Sequence, residues 1–157
     1  MAIIPVAKLW IPSYQIIRLM VTGRKNVTGQ NLTREEASKR AEIIHVNSYE
    51  IELKLTADSD TFFSKTKVSF DAVEGAESFI DASAEEIHLI ELNGQLLPTS
   101  NFSDHRIALP HLKQQNILII EGSFAYTNSG EGLHKFVDPV DGETYLYSQF
   151  EVPDSRR

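Results

Sequence analysis

The residues best suited to polar chemistry lie in the last strand-like run of this chain. In Tyr145-Leu146-Tyr147-Ser148-Gln149-Phe150-Glu151 the side chains alternate. Tyr145, Tyr147, Gln149 and Glu151 point one way, and Leu146, Ser148 and Phe150 the other. Gln149 and Glu151 are two residues apart, which sets their Cβ atoms ~7 Å apart on one side of a sheet. An amide and a carboxylate beside two phenols can hold a small polar group. Spacing alone favours a plainer reading, the exposed face of an edge strand.

Other chemistries find little support. The five histidines are His45, His88, His105, His111 and His134. No two of them are three or four residues apart, none belongs to an H-E-x-x-H pair, and Asp104 beside His105 and His111 matches no metal template. Surface positions on strands and loops are expected for all five. Gly130 and Gly132 lack the third glycine of a dinucleotide fingerprint, so they predict a turn. No G-x-S-x-G elbow is present, and nothing singles out a Ser-His-Asp triad. The chain has no cysteine. Disulfides, Cys-based zinc sites and thiol nucleophiles are thereby excluded, and a reducing, cytoplasmic compartment is expected. The sequons at Asn26, Asn31 and Asn101 matter only in a secreted chain.

The totals narrow the partners. The chain has 157 residues, one domain's worth, with 41% apolar and 24% charged residues, as in an ordinary soluble protein. Its formal net charge of −7 repels phosphate backbones, so nucleic acid is not an expected partner. No apolar run approaches the ~18 residues needed to span a bilayer, so no membrane partner is expected either. The first thirty residues carry Lys8, Arg18, Arg24 and Lys25 and no acid. Their apolar stretches are broken by Pro5, Lys8 and Pro12, which argues against a secretory signal. A poorly ordered extension over 1–30 is expected.

The elements that must position the chemistry follow from periodicity. Thr33 with Glu36 three residues on is a capping box, which predicts a short helix near 34–42. Val46, Tyr49, Ile51, Leu53 and Leu55 then predict a strand with Glu50, Glu52 and Lys54 on its other face. Val46 is one residue out of phase with Tyr49, which predicts a bulge or a late strand start. Phe62, Ser64, Thr66, Val68 and Phe70 alternate with Phe63, Lys65 and Lys67 in the next strand. Short strands follow over 78–82, 87–92, 95–97, 106–109, 116–126 and 144–151. Asn93-Gly94 is a strong two-residue hairpin signal. Many short strands with no recurring helical period predict an all-β antiparallel sandwich.

Several ordered segments together resemble a known family. Tyr126-Thr127-Asn128-Ser129-Gly130-Glu131-Gly132-Leu133, then Phe136-Val137-Asp138-Pro139, then the Tyr145–Glu151 run and Asp154-Ser155-Arg156-Arg157 are similar to the amino-terminal domain of aminopeptidase N zinc metallopeptidases. Asn31-Leu32-Thr33-Arg34-Glu35-Glu36-Ala37 and Val46–Leu53 resemble its actinobacterial branch. The resemblance covers about residues 31–157. It implies a saddle-like β-sandwich domain, incomplete at its carboxyl end and ending before the catalytic domain. It also implies a parent enzyme that removes amino-terminal residues from peptides. In such enzymes the Q-x-E strand end, here Gln149 and Glu151, reaches the active site. By the resemblance, Glu151 binds the substrate α-ammonium, Gln149 lines the pocket for the first side chain, and Arg156 and Arg157 form structural ion pairs. Zinc belongs to the parent enzyme. No cofactor and no catalytic residue are expected within this chain, which alone is expected to be inactive. The partners implied are peptide amino termini and the catalytic domain. The rival reading is a stand-alone, non-catalytic sandwich that binds peptides or proteins.

Overall fold

The computed structural model describes residues 15–22, 32–129 and 132–150. Helix α1 spans Arg34–Ile43, one residue longer than expected. The capping box is formed: Thr33 Oγ1 accepts from the Glu36 amide at 3.1 Å, and Glu36 Oε2 accepts from the Thr33 amide at 3.0 Å. The helix has no buried residue, so polar contacts do much of its docking. The Arg40 and Arg106 guanidiniums both lie over the Phe79 ring, at 4.6 and 4.1 Å. Arg106 also pairs with Asp81 at 3.2 Å and approaches Glu36 at 3.7 Å.

Apart from a 3-10 turn at Thr99–Asn101, the remaining regular elements among the described residues are strands paired antiparallel. The strands are β1 (Gln15–Thr22), β2 (Ile44–Leu55), β3 (Thr61–Ala72), β4 (Ser78–Asp81), β5 (Glu86–Leu92), β6 (Gln95–Leu97), β7 (Phe102–Ser103), β8 (Arg106–Leu109), β9 (Gln115–Ala125), β10 (Gly132–Val137) and β11 (Thr144–Gln149). They form a six-stranded sheet in the order β1-β2-β3-β9-β5-β6, a three-stranded sheet β4-β8-β7 and a two-stranded ribbon β10-β11. Of the expected extension over 1–30, residues 15–22 pair with β2 as an edge strand. The rest of it lies outside the described residues.

The two larger sheets close on one apolar core. Val68 and Phe70 of β3, Ile90 and Leu92 of β5, and Leu118 and Ile120 of β9 meet Ile107 and Leu109 of β8, with Leu112 beside them. Each such side chain contributes about 1.5–3 kcal/mol by leaving water. The alternation read in the sequence of β3 supplies Val68 and Phe70 to this inner face. The opposite face of the six-stranded sheet carries the charges: Lys65 pairs with Glu121 at 2.7 Å, and Lys67 with Glu50 at 3.0 Å. These pairs are solvent-accessible and contribute little on their own.

Two irregularities keep the faces in phase. A bulge between Val46 and Ser48 absorbs the phase slip expected there. A second, between Ile87 and Leu89, shifts β5 against β9. There Gly122 passes so close to β5 that a Cβ would sit 2.6 Å from the Glu86 carbonyl oxygen. Asn93-Gly94 forms the two-residue β5–β6 turn, with φ of 55° and 80°. The Asn93 carboxamide accepts from the Ile117 amide at 2.9 Å and donates to Asn116 Oδ1 at 2.9 Å. Asn116 is buried, and also accepts from the Lys113 amide and donates to its carbonyl. A buried carboxamide needs such partners.

Candidate functional site: the two-stranded ribbon

The ribbon is built by its turn and by matched strand lengths. Asp138 Oδ1 accepts from the Val140 amide, and Asp141 Oδ1 from the Glu143 amide, each at 2.8 Å. These side-chain bonds, with Gly142 at φ 74°, reverse the chain between β10 and β11. The Asp138 amide then bonds the Glu143 carbonyl at 2.9 Å to close the ladder.

Register assigns the faces. Gly132 stands opposite Gln149, His134 opposite Tyr147 and Phe136 opposite Tyr145. One face therefore carries Gln149, Tyr147, Tyr145, His134 and Phe136. His134 is buried, and its ring centroid lies 4.5 Å from that of Tyr147. Tyr145 donates its phenol hydrogen to Asp141 Oδ2 at 3.1 Å. That bond to a carboxylate pushes the phenol's pKa up from its ordinary value. Gln149 is exposed, and the glycine opposite it puts no side chain across its path. The arrangement offers a carboxamide with two donors and an acceptor, beside an aromatic wall. Phe136, Val137, Tyr147 and Phe150 leave much apolar surface in water.

Gln149 is therefore the last residue of β11, on the expected face. Glu151, Arg156, Arg157 and the Gly130-Glu131 pair lie outside the described residues. His45, His88, His105 and His111 are exposed, as expected, whereas His134 is buried. His88 comes within 3.2 Å of Ser123 Oγ and 3.6 Å of Glu86 Oε2. Both contacts use the same ring nitrogen, Nε2, so no Ser-His-Glu relay exists, since a relay needs one partner at each nitrogen. Sequence reasoning missed β10 and with it the roles of His134 and Lys135. The signal was available: six residues bounded by Gly132 and Asp138-Pro139 match the length of the six in β11.

Among the described residues no group of three or more histidines and carboxylates could hold a metal ion. The residues described thus do not fit a zinc site. Among them no helix is long and apolar enough to cross a membrane.

No protein-family model matches the chain. Aminopeptidase N of Streptomyces lividans is 56% identical to it over 134 residues, which cover 82% of this chain and 16% of that protein. The chain thus spans less than a fifth of the length of this relative.

Proposed function

We propose, for a chain related over most of its length to part of an aminopeptidase N, that it is the substrate-anchoring sandwich of a zinc aminopeptidase. The reading rests on one observation. Gln149 stands exposed at the end of a ribbon strand, on an aromatic face, opposite a glycine. In this reading Gln149 lines the pocket for the first side chain of a peptide. Glu151, two residues on, takes the α-ammonium group.

The chemistry suits an enzyme that cuts only at free amino ends. A carboxylate accepting from an ammonium makes a charge-assisted hydrogen bond, about twice as strong as a neutral one. It also fixes the distance from the amino end to the scissile bond. A metal-activated water is the nucleophile in zinc peptidases, and the residues described here supply no ligands for it. The contribution of this chain is orientation, and its remaining partner is the catalytic part of the enzyme. The lack of cysteine is in keeping with a reducing, cytoplasmic setting, which cell fractionation would test.

The test is enzymatic. The purified chain with zinc and an aminoacyl-arylamide is expected to release no arylamine. Combined with the remaining polypeptide of its parent enzyme, it is expected to support turnover. Glu151→Gln then lowers kcat/KM by about 10- to 100-fold, the equivalent of losing a charged hydrogen bond. Gln149→Ala alters the preference for the first side chain. Chelator-sensitive turnover by this chain alone, or no effect of either substitution, overturns the proposal.

A further inference from the structure

The ribbon belongs to neither core sheet, so something must set its angle to them. Its backbone is joined to the end of β9 by a short bridge. The Thr127 amide bonds the Leu133 carbonyl at 2.9 Å, and the Lys135 amide bonds the Thr127 carbonyl at 3.0 Å. The Thr127 hydroxyl also lies 3.4 Å from the Leu133 carbonyl, so these contacts gather at one point of the ribbon. A side chain adds a second point of attachment, far away in sequence. Lys135 Nζ donates to the Ser59 carbonyl at 2.9 Å and to Asp60 Oδ1 at 3.2 Å, both in the β2–β3 turn. The Lys135 side chain is only 15% exposed although it is charged. Its ammonium also lies 5.9 Å from the Tyr126 ring centroid.

The turn it grips is itself fixed. The Tyr126 phenol accepts from the Thr56 amide and donates to the Thr56 carbonyl, both at 3.1 Å. The Tyr126 amide bonds the Asp60 carbonyl at 3.0 Å. Phe62 packs on Tyr126 with centroids 5.1 Å apart. Lys135 thus joins the ribbon to a rigid corner of the six-stranded sheet. Register places it on the ribbon face opposite to Gln149, since Lys135 pairs with Leu146 and Gly132 with Gln149. Holding one face to the corner turns the other away from it.

We propose that Lys135 is the positioning residue of the ribbon, fixing the angle at which Gln149 is presented. Its importance for peptide cleavage rests on the reading of Gln149 given above. Its mechanical role does not, and is tested apart from it. An ammonium suits the task because it carries three donors and reaches two acceptors at once. Asp60 is fully exposed at its side chain, so the Ser59 carbonyl is the more sheltered of the two partners.

The test uses the full chain in three variants, Lys135→Met, Lys135→Gln and Lys135→Arg, measured by residual dipolar couplings. In the unsubstituted chain, couplings from β10 and β11 fit one alignment tensor together with those from β3 and β9. In Lys135→Met the ribbon couplings are expected to shrink by about half, while the core couplings and core amide exchange stay unchanged. Lys135→Gln, milder for folding, shows the same change in smaller measure. Lys135→Arg restores the original fit. A role in overall stability alone would instead speed core exchange in step with the ribbon. Ribbon couplings that stay on the common tensor in both Met and Gln variants overturn the proposal, whatever the peptidase assay finds. Unchanged couplings with a loss of peptide selectivity in Gln149→Ala would leave the functional reading standing and remove only Lys135 from it.

Discussion

The sandwich and the ribbon are made of similar residues and held by different physics. In the sandwich, Ile107, Leu112, Leu118 and Ile90 are almost fully buried, and the two sheets exclude water from one another. In the ribbon, His134 is buried but Phe136, Val137 and Tyr147 are about half exposed, and attachment to the sheet includes bonds made by Thr127 and Lys135. Non-directional burial dominates the first, and directional bonds have a larger share in the second. A region held by burial resists substitution at its surface and fails when a cavity opens. A region held by a few polar bonds can keep its own fold and still lose its orientation.

The contrast is sharpest in the core. Ile107→Ala is expected to destabilise the chain by about 2–5 kcal/mol, read from denaturant unfolding. A loss below about 1 kcal/mol would mean that the three-stranded sheet does not close the core. Next comes the buried carboxamide that ties the β5–β6 turn to β9. Asn116→Ala leaves the Lys113 amide and carbonyl and the Asn93 carboxamide short of partners, at a cost of about 1–3 kcal/mol. Helix α1, docked without burial, should behave like the ribbon. The bond from the Thr33 amide holds the Glu36 carboxyl below its ordinary value of 4.5. A depressed folded pKa adds stability above the unfolded value, and that stability is lost as pH falls through the folded one. Acid below about pH 4.5 is therefore expected to lower the protection factors of the α1 amides, taken against their intrinsic exchange rates at the same pH, while core protection factors hold. Simultaneous loss of both would erase the distinction. The smallest effect belongs to the site. Gln149→Ala is expected to change stability by less than about 0.5 kcal/mol, since the side chain is exposed. A larger loss would show that the carboxamide holds structure instead of facing a ligand.

The same division governs what could be read in advance. The capping box at Thr33 and Glu36, the slip at Val46, the Asn93-Gly94 turn and the alternation in β2 and β3 are local or periodic, and each was legible. The inner and outer faces followed, because burial is periodic. Contacts that depend on one side chain meeting a distant backbone were not. Nothing near Lys135 points to Ser59, 76 residues earlier. Nothing near Gly122 announces that the Glu86 carbonyl will lie against it. His134 looked like a surface histidine because β10 itself went unread, and its burial against Tyr147 needs the ribbon register. Within the site, the face of Gln149 followed from strand alternation, whereas the glycine opposite it came from pairing.

The Asn93-Gly94 turn also bears on how the protein ages. In a flexible chain, an asparagine before glycine is the dipeptide most open to attack by the following backbone nitrogen on the side-chain carbonyl, which expels ammonia and leaves a succinimide. Here both ends of that carboxamide are bound, to Ile117 and to Asn116, so it cannot swing back onto the Gly94 nitrogen. The lock that sets the β5–β6 turn therefore also slows chemical decay at the most vulnerable bond in the sheet. Loosening it through Asn116 would shorten the lifetime of the folded molecule as well as lower its stability.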